Sequence, residues 1–162
     1  MLVETDGRED VQVTVYAIIS RGNAANKWTG FLLRGTDATA YNKSLLCRFD
    51  GDETGPDLVL IDDASTTLKT WDLSTLLTTA PVKDDAVELV LRCAGDDITF
   101  YSMRVNGGAV EVVDDTYTLT GTPATNHGAS SAADFYGIWA TGFGGLAAAN
   151  RFEYFKVESI PA

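Results

Sequence analysis

The sequence predicts an all-β chain folded as an antiparallel sandwich or barrel, on three observations. Apolar and polar residues alternate with a period of two along most of it. No amphipathic helical pattern of about 12 residues or more occurs. Turn-forming residues separate the alternating runs at intervals of roughly ten residues, as in sandwiches and barrels.

Asp10 to Ser20 carries the longest strand signal, with Val11, Val13, Val15, Ala17 and Ile19 alternating against Gln12, Thr14, Tyr16 and Ile18. A polar loop, Arg21 to Thr29, precedes Gly30 to Gly35. Ser44 to Phe49 and Asp57 to Ile61 follow, rich in the apolar types that half-buried strands prefer. Trp71 to Ala80 fits a short helix or a strand with a polar flank, and its pattern does not separate the two. Val87 to Cys93, Ile98 to Val105 and Ala109 to Val113 come next. Ala94-Gly95-Asp96-Asp97 and Asn106-Gly107-Gly108 link them tightly, because Asn and Gly tolerate positive φ. These turns predict a three-stranded antiparallel meander over residues 87 to 113. Gly121 to Asp134 is small, polar and aperiodic, hence a long surface loop. Phe135 to Ala140 and Arg151 to Ser159 are the last strands, separated by a flexible Gly142 to Asn150. No repeat or linker divides residues 1–162, so one domain is expected.

Charge sets aside several function classes. Lys and Arg total 12 against 23 Asp and Glu, a formal net charge of -11. Such a surface repels phosphate backbones and anionic lipid, so neither nucleic acid nor membrane insertion is expected. The start, Met1 to Asp6, has no basic and apolar leader pattern. The expectation is a chain made in a cytoplasm or excised from a longer one. Cys47 and Cys93 each continue an apolar alternation face and read as buried hydrophobes. One histidine in the whole chain rules out a multi-histidine metal centre.

In order, these segments resemble the concanavalin A-like jelly roll of laminin-G-like and legume-lectin-like domains. The likeness is carried by Asp10 to Tyr16 leading to Gly30 to Arg34, and by Val87 to Arg92 followed by Gly95 to Tyr101. Val105-Asn106-Gly107-Gly108 and the close, Tyr136 to Trp139 then Phe152 to Val157, complete it. It implies an antiparallel two-sheet jelly-roll sandwich with loops gathered at the ends, a fold that hosts lectins, glycanases, lyases and inert modules. The metal loop of the lectin members has no counterpart among these residues. The glucanase pattern E-x-D-x-x-E is matched in letters by Glu4-Thr5-Asp6-Gly7-Arg8-Glu9. Gly7 and Arg8 break the alternation there, and a terminal segment is a poor frame for carboxyls that must sit about 5 Å apart.

Candidate sites follow from residue chemistry. Asp50-Gly51-Asp52-Glu53-Thr54-Gly55 places oxygen ligands at alternate positions and Gly at the sixth, as calcium loops do. Asp50 and Asp52 are therefore candidate calcium ligands, although the twelfth position is Ile61 and a solvated turn explains the same letters. Sugar binding in water uses an aromatic platform with amides and carboxylates at its rim. Trp28, Tyr41 with Asn42, and Trp71 with Asp72 are the platform candidates, joined by Asn126 and His127 in the long loop. The alternative for each Trp is to cap one end of the core. Trp139, Phe135, Phe152 and Phe155 read as core, with Tyr136 and Tyr154 on the opposite side. Arg34, Arg48, Arg92 and Arg104 sit within strands, and on one face they would form a polar ladder with Glu88, Glu111 or Thr99 suited to an acidic sugar or partner. His127 alone supports no Ser-His-Asp triad.

The expected function is a non-enzymatic, lectin-like module displayed on a virion or other extracellular surface. It would bind surface glycans or dock on a neighbouring virion protein, with homo-oligomers among the assemblies it suits. A polysaccharide hydrolase or lyase of the same fold is the alternative.

Overall fold

The computed structural model describes residues 2–4, 10–19, 29–36, 44–52, 55–82, 84–129, 135–140 and 151–160. In chain order the elements are β1 (Leu2–Glu4), β2 (Val11–Ile18), β3 (Thr29–Gly35), β4 (Leu45–Asp52), β5 (Gly55–Ile61) and β6 (Thr67–Trp71). After α1 (Leu73–Leu76) come β7 (Ala86–Ala94), β8 (Asp97–Val105) and β9 (Val110–Thr118). After α2 (Gly121–His127) come β10 (Phe135–Ala140) and β11 (Arg151–Ser159).

The strands form an antiparallel six-stranded sheet, β1-β10-β3-β4-β5-β6, and an antiparallel five-stranded sheet, β11-β2-β7-β8-β9. The fold is the two-sheet jelly-roll sandwich expected. Alternation builds it directly: β2 and β7 bury every second residue, and their register sets Val13 opposite Leu91 and Val15 opposite Leu89 on the inner face. From the other sheet Phe31, Leu33, Leu45, Phe49, Leu58 and Leu60 meet them, all with no exposed surface. Each such side chain contributes about 1.5–3 kcal/mol through removal from water.

The predicted meander is present as β7-β8-β9. Its second turn needs left-handed backbone, with Asn106 at φ 50° and Gly107 at φ 70°. Asn106 also ties the turn down. Its Oδ1 accepts from Ala86 N at 2.9 Å and its Nδ2 donates to Asp85 Oδ1 at 2.6 Å.

Several elements differ from expectation: β1 and β6 are strands where none was expected, and three others depart as follows. β9 runs to Thr118 because its even positions face solvent, so apolar content fades while pairing with β8 continues. Trp71 closes a strand and Leu73–Leu76 is a helical turn, so the ambiguous stretch holds both. Gly121–His127 is helical, where a loop was expected, and its single buried residue is His127. Seven residues are too few for an apolar period to register.

Candidate functional site

Trp28, Tyr41 and Asn42 lie outside the described residues. Trp71 is a correction. It has no exposed surface and packs edge-on to Phe100, ring centroids 6.1 Å apart, so no sugar reaches it. Asp72 beside it is the N-cap of α1, its Oδ1 accepting from Ser74 N at 3.0 Å, Thr75 N at 3.3 Å and Ser74 Oγ at 2.6 Å. The Ser74 hydroxyl, first among these donors, holds its carboxyl below the ordinary range. Asp72→Ala is expected to lower the urea midpoint, as loss of a helix cap does, and to leave ligand binding unchanged.

Asn126 and His127 lie in α2, and His127 turns inward. His127 has no exposed surface, and its Nδ1 donates to the Arg34 carbonyl at 2.9 Å. Its Nε2 stands 3.6 Å from Asp63 Oδ2, the atom to which Asn126 Nδ2 donates at 3.3 Å. Arg34 answers from β3: Nη1 donates to the carbonyls of Gly95 (2.5 Å) and His127 (3.0 Å). This buried latch fastens α2 to the β7–β8 turn and to β3. Cys93 and Tyr136 adjoin it. Burial pushes the Cys93 thiol up to about 11 against the nearby Arg34 charge. Burial raises the Tyr136 phenol as well, and Tyr136 belongs to the core where the opposite face was expected. Cys47 and Cys93 are buried, as expected, and both thiols are free.

Asp50 and Asp52 lie in β4, opposite Asp57 and Gly55 of β5, and residues 53 and 54 between these strands lie outside the described residues. Asp50 Oδ2 is bonded to Arg48 Nη2 at 2.8 Å. Among the described residues no group of three or more His, Cys, Asp or Glu is placed to hold a metal ion. Of the run Glu4 to Glu9, Glu4 ends β1 and the rest lies outside the described residues.

What the fold does assemble is the outer face of the six-stranded sheet. Alternation in β4 sends Leu45, Cys47 and Phe49 to the core, and therefore Leu46, Arg48 and Asp50 outward. The register then aligns Trp139, Gly30, Arg48, Val59 and Thr70 across five strands. In the backbone register position 139 pairs with Gly30, and Ile138 packs on the core. A second row holds Leu32, Leu46 and Ile61. A Cβ at Gly30 would meet Leu46 Cδ1 at 3.0 Å and the Arg48 Cβ at 3.2 Å, so glycine lets these side chains close in. Arg48 is about one-fifth exposed (18%) and Asp50 about one-third (36%). Asp50 faces Asp57 across the β4–β5 ladder, and the guanidinium offsets that like-charge pair. The result is a fixed donor fork and an acceptor, with Val59 and Leu46 as apolar floor.

The four strand arginines do not share a face. Arg34 enters the latch and Arg48 the six-stranded face. Arg92 lies over the Tyr101 ring at 3.3 Å and bonds Gln12 Oε1 at 3.1 Å on the five-stranded face, where Arg104 stands opposite Glu88. The Arg48–Asp50 pair was legible as an i, i+2 spacing opposite the core alternation, a signal hidden by reading Asp50 as a turn.

No protein-family model matches the chain, and no curated protein sequence does. Solved structures do. A human galectin-16 carrying two substitutions aligns with TM-score 0.54 and 8% identity over 98% of this chain and 94% of that one. A mutant of the GH43 protein BlXynB from Bacillus licheniformis aligns with TM-score 0.56 and 14% identity over 94% of this chain. This chain spans 28% of that larger protein. At these identities the likeness is one of fold: the chain is built as the two-sheet β-sandwich that galectins also use.

Proposed function

We propose that the protein is a non-enzymatic, lectin-like module that holds a glycan on the outer face of its six-stranded sheet. The carrying observation is the Arg48–Asp50 pair, 2.8 Å apart and partly exposed between the side-chain-free Gly30 and Val59. Each partner immobilises the other, so hydroxyls meet a preorganised donor and acceptor at little entropic cost. The fold shared with galectin-16 supports this reading. Display on a virion or other extracellular surface, docked on a neighbouring protein or a second copy, belongs to the same proposal and suits the net charge of -11.

A glycan array probed with the wild-type chain and with Arg48→Ala, in calcium and in chelator, tests it. The expected outcome is retention of neutral glycans by the wild type. Affinity should fall at least about tenfold, some 1.4 kcal/mol, in Arg48→Ala, with no response to chelator. Equal retention by a folded Arg48→Ala, or loss on chelation, would overturn this assignment of Arg48 and Asp50.

A further inference from the structure

The outer face of the five-stranded sheet carries an unbroken row across all its strands. Tyr154, Tyr16, Glu88, Arg104 and Val110 stand successively opposite one another in the register. The Tyr154 hydroxyl donates to Glu88 Oε2 at 2.5 Å, although β2 lies between their strands. Two strand spacings, about 9.6 Å, separate those backbones. To reach that far the Tyr154 ring must lie across β2. Its centroid is 5.8 Å from that of Tyr16 at an interplanar angle of 28°, so Tyr16 supports it from below. Tyr154 nevertheless keeps 41% of its surface exposed. One ring face is packed, the tip is pinned and the other face is open. Such a ring has little rotamer freedom left to lose on binding. Desolvation, with the Glu88 carboxylate beside it, pushes the phenol up to about 12. It therefore stays neutral, and keeps donating, at physiological pH.

The next position supplies polar chemistry. Arg104 faces Glu88 directly, and its Nε is buried without a hydrogen-bond partner. Glu88 and Arg104 cancel in charge while presenting an acceptor beside a donor fork, which complements a neutral diol better than an ion. Arg92, on the same face, is already engaged by Tyr101 and Gln12. Val110 ends the row at 46% exposure, with Val112 beside it at 63%. Those two extend the apolar surface along β9.

We propose that this row is a second glycan site, in which a neutral pyranose stacks on the open face of Tyr154 and its hydroxyls bond Glu88 and Arg104. It rests on the reading of the chain as a glycan binder but lies on the opposite face from Arg48. Both contacts are the kind a sugar requires: a flat apolar surface and fixed hydrogen-bonding groups at its rim.

Titration calorimetry with xylotetraose and cellotetraose, together with a neutral-glycan array, tests it on four chains: wild type, Tyr154→Ala, Glu88→Gln and Arg48→Ala. Circular dichroism confirms that each is folded. Tyr154→Ala is expected to lose about tenfold or more in affinity for a retained glycan, and Glu88→Gln a smaller factor, because a neutral amide oxygen holds the Tyr154 hydroxyl and the sugar less strongly than a carboxylate. Arg48→Ala should keep this Tyr154-dependent component. Should Tyr154→Ala fail to fold, Tyr154→Phe, which keeps the ring and releases its tip, decides together with Glu88→Gln. Binding unchanged in every folded variant at Tyr154 and Glu88 would overturn this site. If Arg48→Ala alone is silent, the first site survives and this one falls. A wild type that retains no glycan overturns both.

Discussion

Trp71→Ala is expected to destabilise the protein by about 3–5 kcal/mol, the range for deleting a large buried aromatic. The indole has no exposed surface and meets Phe100 edge-on across the two sheets. Alanine leaves a void at the β6 edge of the core, where Leu58 stands directly opposite. For a chain of this size each kcal/mol lowers Tm by roughly 2–4 °C, so the shift is on the order of 10 °C. Trp71→Phe should cost much less. It preserves most of the packing and removes an indole Nε1 that is buried with no hydrogen-bond partner. Thermal and urea denaturation of the two variants decide the matter. A Trp71→Ala chain with wild-type stability and lost glycan retention would restore Trp71 as a surface platform.

Arg34→Ala carries the second large effect, about 2–5 kcal/mol, because it leaves two carbonyls without their donor. Arg34 is 3% exposed, and its guanidinium donates to the carbonyls of Gly95 and His127. Without it two orphaned carbonyls face a cavity beside Cys93 and Tyr136. Each orphan adds about 1–3 kcal/mol of desolvation penalty. Hydrogen exchange should show the loss concentrated in α2 and the β7–β8 turn, because Arg34 is what joins them to β3. Denaturant titration showing a cost below about 1 kcal/mol would mean that the latch is held by His127 and Asp63 without Arg34.

Most of the strands and their inner faces were legible in the sequence because burial in a sheet is a local pattern; β1 and β6 were not. Val11 to Ile19 and Val87 to Cys93 each declare a core face by alternation alone. The Asn106-Gly107 turn was legible for a similar reason, since positive φ is a property of the residue itself. The site was far less so. Trp71 and His127 looked like loop ligands because their neighbours are polar, yet both are buried through partners about 30 or more positions away in the chain. Phe100 covers one, and Arg34 with Asp63 encloses the other. Asp50 looked like a calcium ligand because Asp and Gly make turns. The β4–β5 register instead carries the strand through Asp52, and Arg48 takes the carboxylate.

By itself, then, the sequence determined the all-β class, the meander and the membership of most of the core, since each depends on a residue and its immediate neighbours. Only the tertiary structure decided which outward residues stand side by side. Arg48 meets Gly30 and Val59, and Tyr154 crosses Tyr16 to reach Glu88, through registers between strands distant in the chain. Alternation says that a side chain points outward. It does not say which strand will lie beside it, and a binding face is made of that adjacency.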